Sequence, residues 1–141
     1  MGAWDVGIFD NDSAGDWACD LEDSDFSFIR GTIESVLEAA DDYIEIDVGN
    51  MGLAACEVIA RLSGEPGPES EDGMTAPALD RVNAWIKKNP QDVDGELIES
   101  CLSIIDAVKG SSSEAAELWE ESESNEQWLE VVEELRSRLA N

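Results

Sequence analysis

Residues 10–22, DNDSAGDWACDLE, place five acidic side chains and one glycine within thirteen positions. That composition raises calcium chemistry. An EF-hand loop needs oxygen ligands at positions 1, 3 and 5, a glycine at 6 and a bidentate glutamate at 12. With Asp10 at position 1, Asp12 and Gly15 fall into place. Position 5 is Ala14, however, and position 12 is Leu21, with Glu22 one residue too late. Asp10, Asp12 and Asp16 remain as candidate metal ligands without a closing glutamate, so no specific metal site is expected and clustered carboxylates offer only loose divalent binding. The same residues read better as a helix start. Asn11, Asp12 and Ser13 can cap free N–H groups, and Asp16 suits the positive end of the helix dipole.

Other reaction chemistry lacks its residue types. The chain has no histidine, which removes Ser-His and Cys-His nucleophile pairs and histidine-based metal sites. Cys19, Cys56 and Cys101 form no Cys-x-x-Cys motif and are too few and too far apart for a disulfide framework. Cys56 and Cys101 lie on apolar stripes and read as core thiols, and the acids around Cys19 disfavour its thiolate. The glycine-containing stretch GEPGPESEDG (64–73) has no lysine, and its acids would repel phosphate. Paired carboxylates can run glycoside hydrolysis. Among 34 acids, though, proximity of two is uninformative. The expectation is a protein that is not an enzyme and uses no cofactor.

The 34 acidic residues face 8 basic ones across 141 positions, a formal net charge of −26. Apolar residues make up 43%, which marks a folded chain rather than an acidic tail. Such a field repels nucleic acid and anionic membranes and attracts basic proteins and cations. The opening MGAWDVGIFD shows no basic, apolar signal-peptide pattern. No stretch approaches a membrane span, and a reducing cytoplasmic setting is expected.

The acids concentrate at the two ends. Residues 5–25 hold eight acids and no base, and LWEESESNEQWLEVVEEL (118–135) interleaves acids with two tryptophans. On helices, Glu117, Glu120, Glu121, Glu123, Glu126 and Glu130 would face outward while Trp119 and Trp128 point in. These six glutamates are the candidate partner-binding residues. The expected function is a non-catalytic acidic protein-binding module, of the immunity or inhibitor type, that engages a basic protein partner by electrostatic attraction. Two alternatives stand beside it: a nucleic-acid mimic whose carboxylates are spaced like phosphates, and a charge that reflects adaptation to high salt.

The elements that would position these residues are helices. Ala14, Trp17, Ala18 and Leu21 give the i, i+3, i+4, i+7 stripe of a first helix. A second runs from about Asp25 to Ala40, with Phe26, Ile29, Ile33, Val36, Leu37 and Ala40 inward. Residues 50–63 are apolar nearly all round, the mark of a central helix. A fourth covers Pro77–Lys88, with Leu79, Val82, Trp85 and Ile86 inward, and stops at Asn89-Pro90. Asp94 caps a fifth, ended by Lys109-Gly110. Residues 111–113 open a short sixth, and a capping-box pattern at 124–127 opens a last helix carrying Trp128, Val131, Val132, Leu135 and Leu139. Arg136 and Arg138 suit its C-terminal dipole. Minor extended or β segments are expected near 3–9 and 43–48, the latter from the alternation Tyr43 to Val48. The prediction is an all-α, single acidic domain over 1–141, a bundle of about six to seven short helices.

The opening MGAWDVGIFDNDSAGDW also resembles the start of the bacterial domain of unknown function 4259 family. Met1, Gly2, Trp4, Gly7, Phe9, Asn11 and Asp12 match the family pattern, and Asp5 stands where the family has glycine. YIEIDVGNMGLAACEVIARLSG (43–64) and ELWEESESNEQWLEVVEELRSRL (117–139) extend the resemblance over most of the chain. It implies a small helical bacterial domain and brings with it no activity and no site residues.

Overall fold

The computed structural model describes Ile8 and residues 11–64 and 77–140. The extended segment expected near 3–9 therefore lies, Ile8 apart, outside the described residues, as does nearly all of the 64–73 loop. Seven helices follow one another in the described residues: α1 (Asp12–Glu22), α2 (Phe26–Ala40), α3 (Ile46–Leu62), α4 (Pro77–Lys88), α5 (Gly95–Val108), α6 (Glu114–Glu120) and α7 (Asn125–Ala140). No strand longer than an isolated bridge is present among them. The fold is all-α.

Most boundaries follow local side-chain chemistry. Asn11, not Asp12 or Ser13, caps α1: its Oδ1 accepts from the Ala14 N–H at 2.8 Å. Asp25 caps α2 through the Ser27 N–H at 3.0 Å, and Asp94 caps α5 through the Leu97 N–H at 2.8 Å. Ser113 caps α6 by accepting from Ala116 N–H. Each cap satisfies an N–H that the helix itself leaves unbonded.

The extended reading of 43–48 holds only for its first three residues. Only Ile44 pairs, in a single parallel bridge with Ser113, and α3 already begins at Ile46, a turn earlier than the sequence suggests. Ile44 N–H donates to Ser112 O at 2.9 Å, and Glu114 N–H donates to Ile44 O at 2.8 Å. Glu45 makes no side-chain cap; instead the Glu114 carboxylate, from α6, accepts from Ile46 N–H at 2.8 Å. A cap supplied from 68 residues away overrides a local alternating pattern.

Helix α3 touches every other helix, and eleven consecutive or near-consecutive residues from Gly49 to Ala60 are buried. Around it, α1 packs on α4, α2 on α5, and α5 on α7, so the helices before and after residues 65–76 share one core. The predicted stripe of α1 is buried in full. On α2, Ile29, Ile33 and Val36 are buried, while Phe26, Leu37 and Ala40 are partly so. Val82 and Trp85 carry α4 into the core; the Leu79 side chain lies outside the described residues. Two tryptophans find partners for their indole N–H: Trp17 donates to Thr32 Oγ1 and Trp85 to Ser24 O, both at 2.9 Å. That satisfies the polar end of an otherwise apolar ring.

Candidate functional site

The acidic corner is built by α6, α7 and the four residues between them. Glu117 and Glu120 lie on α6, Glu121 is its C-cap, Glu123 lies in the connection, and Glu126 and Glu130 share a face of α7 one turn apart. All six are exposed. Beneath them Trp119 and Trp128 stack with centroids 6.0 Å apart and planes 10° from parallel, both buried. The two rings pack α6 against α7, and the carboxylates lie outside.

The corner is tied to the segment leading into α3. Beside the Ile44–Ser113 bridge, the Tyr43 hydroxyl donates to Glu117 Oε2 at 2.6 Å. Tyr43 is 40% exposed, the one large apolar side chain so exposed among the described residues. Its phenol is pushed up to about 12, chiefly by the hydrogen bond to Glu117, then by burial and by the charges of Glu117, Glu114 and Glu45. The exposed aromatic at this rim is therefore Tyr43, from the segment read in the sequence as extended or β; the interleaved tryptophans serve the core.

The distribution of bases sharpens the picture. Six of the eight bases are in ion pairs: Arg30 with Asp94, Arg61 and Arg138 with Glu57, Arg81 with Glu22, Lys109 with Asp106 and Glu133, and Arg136 with Asp106. The Arg136 fork grips Asp106 at 2.8 and 3.2 Å. The hydrogen bond from Arg136 is the main reason the Asp106 carboxyl sits below the usual carboxylate range; partial burial opposes it. Among the described residues, no base pairs with Glu120, Glu121, Glu123, Glu126 or Glu130.

A second charged feature lies inside and was missed in the sequence. Glu57 of α3 is 4% exposed and Arg138 of α7 is 8% exposed. Arg138 Nη1 and Nη2 donate to the two Glu57 oxygens at 2.6 and 2.7 Å, a bidentate pair. Arg138 Nε also donates to Glu134 at 2.7 Å. Arg61 Nε reaches Glu57 at 2.9 Å and its Nη1 reaches Asn83 at 3.1 Å. Two guanidiniums and two carboxylates sum to zero. Burial would lower the Arg138 pKa, but its bonds and charge attraction to Glu57 and Glu134 prevail and raise it. The signal was present: a lone acid within an all-round apolar helix needs a buried partner.

Of the candidate metal residues, two are described. Asp12 and Asp16 lie exposed on the first turns of α1, where backbone a calcium loop would wrap is helical; Asp10 lies outside the described residues. Among the described residues no group of three His, Cys, Asp or Glu side chains is placed to hold a metal ion. A hollow of about 340 Å³ opens between Asp25–Ser27 and Asn89–Gln91, away from the acidic corner. Cys19 is exposed, while Cys56 and Cys101 are buried as expected. No described helix is long and apolar enough to cross a membrane.

No curated protein and no solved structure matches the chain. The family model described as "Domain of unknown function (DUF4259)" matches residues 2–131. That match spans the capped α1, the central α3 and the acidic α6–α7 corner, and the chain belongs to this family.

Proposed function

We propose that this protein is a non-catalytic acidic binding module that engages a basic protein through the α6–α7 corner, blocking its partner as an inhibitor or immunity protein does. One observation carries the reading. Six of the eight bases are spent on ion pairs elsewhere, while among the described residues Glu120, Glu121, Glu123, Glu126 and Glu130 share one exposed corner without a base. An uncompensated patch of one sign raises the encounter rate with an opposite patch and makes association salt-dependent. The stacked Trp119–Trp128 pair and the Tyr43 seam hold the corner rigid, which lowers the ordering cost of binding. A reducing cytoplasmic setting, where three unpaired thiols persist, suits this role.

The test compares the native protein with a fourfold variant, Glu120→Gln, Glu121→Gln, Glu123→Gln and Glu130→Gln. Glu117 is spared because Tyr43 uses it, and Glu126 because it lies in the first turn of α7. Each immobilised protein is exposed to a cell extract at low and at moderate salt, and retained proteins are identified. A basic protein retained at low salt by the native chain and lost by the variant supports the reading. Equal retention by both ends it. Addition of duplex DNA separates the nucleic-acid mimic: only a partner bound through its own DNA site is released by DNA.

A further inference from the structure

Helices α3 and α5 run antiparallel in a tight register. A Cβ placed on Gly49 would lie 3.8 Å from Val108, and one on Gly52 would lie 3.2 Å from Ile104 Cγ2 and 3.1 Å from both Val36 methyls. Glycine at these points lets the helices approach more closely than larger side chains would permit. One turn further along α3 comes Cys56, and one turn back along α5 comes Cys101. The Cys56 Sγ lies 3.7 Å from the Cys101 carbonyl oxygen. Of three cysteines in 141 residues, two thus lie buried on facing turns of α3 and α5, with the Cys56 thiol against the Cys101 backbone.

We propose that Cys56 and Cys101 are a reversible dithiol–disulfide pair, oxidised by a small disulfide of the glutathione class to a bond that staples α3 to α5. The exchange balances without a further reactant. The thiolate of one cysteine attacks a sulfur of glutathione disulfide and expels one glutathione thiolate. The thiolate of the second cysteine then attacks the mixed disulfide and expels the other. Two protein thiols are oxidised, one glutathione disulfide is reduced to two glutathiones, and the two cysteine protons end on them. Burial, and then the hydrogen bond with Cys101, pushes the Cys56 thiol well up. Exchange through the intact fold is therefore slow, and the pair follows a sustained change in redox poise rather than a brief pulse. Exposed Cys19 has no partner thiol in this register. This device is independent of the docking corner.

The experiment uses the full chain with Cys19 first blocked by iodoacetamide in the native state, and Cys19→Ser in parallel should either preparation fold poorly. Each is equilibrated in mildly alkaline glutathione redox buffers, acid-quenched, alkylated in denaturant and weighed intact. Equilibrium is approached from the reduced folded chain and from the oxidised chain refolded out of denaturant, so slow exchange is not mistaken for absence of a bond. The expected product is two hydrogens lighter and unalkylated at both cysteines, and dithiothreitol reverses it. The effective concentration of the pair should exceed that of the same chain in denaturant by about 100-fold or more. An equal or lower value in the folded protein, single-thiol glutathione adducts, or disulfide-linked dimers would each overturn the proposal.

Discussion

At Glu57 two guanidinium groups converge on one buried carboxylate; at the α6–α7 corner five carboxylates meet none among the described residues. Both regions lie on or beside α7, and both are made of the same residue types. They differ in dielectric. Inside, an unpaired charge would cost several kcal/mol, so a neutral, fully bonded set is the arrangement a fold can tolerate. Outside, water and salt screen each carboxylate, and a surplus costs little per residue. With only 8 bases for 34 acids, the chain places Arg61 and Arg138 where pairing is compulsory and leaves the corner bare. The corner's charge is thus permitted by solvent rather than required by the fold, which is what leaves it available for a partner.

The largest expected effect breaks the interior side of this comparison. Arg138→Met leaves Glu57 buried with less compensation and should lower the unfolding free energy by about 3–5 kcal/mol in urea melts. Glu57→Leu alone removes the carboxylate shared by Arg61 and Arg138 and should cost a similar amount. The double substitution removes this bidentate pair but takes the Glu57 carboxylate from Arg61 as well, so it should recover only part of the loss. If the two single costs simply add in the double variant, the groups are not coupled and the interior cluster is no unit.

How far each region could be read from the residues follows the same divide. Helices with a clean stripe and a local cap, such as α1, α2 and α5, were legible because both signals act within a few positions. Trp119 and Trp128 were legible as inward residues for the same reason. The start of α3 was not, because its cap is Glu114 and its lead-in pairs with Ser113, both far along the chain. The extended reading of 43–48 failed from Ile46 onward on the same grounds. Arg138 was read as a dipole partner of its own helix, although its place one turn from Leu135 and one residue from Leu139 puts it on the apolar face; what it meets there is set by α3, not by α7. The exposed acids of the corner needed no tertiary information, since an amphipathic pattern already turns them outward.

A smaller effect tests the exterior side. In the fourfold glutamine variant the like-charge pairs one turn apart, Glu117 with Glu121 and Glu126 with Glu130, are relieved. Stability should rise by about 0.5–1 kcal/mol at low salt. The gain should vanish near 1 M salt, where the screening length falls to about 3 Å. Native-protein melting in KCl should accordingly climb and then level off once screening is complete. A climb that continues into molar KCl in both proteins would instead mark the charge as an adaptation to high salt.

The finest test reads the seam where the corner meets the entry to α3. The chain has one tyrosine, so the phenolate absorbance reports Tyr43 alone. With its hydroxyl donated to Glu117, Tyr43 should titrate at about 12, and Glu117→Ala should bring the midpoint down toward the ordinary value of 10.0. The sign of the linkage follows. A folded pKa above the unfolded one means the hydrogen bond contributes its full stabilisation below pH 10 and loses it as the pH rises through about 12. Glu117→Ala should flatten the pH dependence of stability across that window while leaving the Glu57 cluster, which holds no phenol, unchanged at neutral pH. A native Tyr43 that titrates near 10 would mean that the tie to Glu117 is absent in solution, and that the Ile44–Ser113 bridge and the Glu114 cap alone hold the corner to the α3 entry.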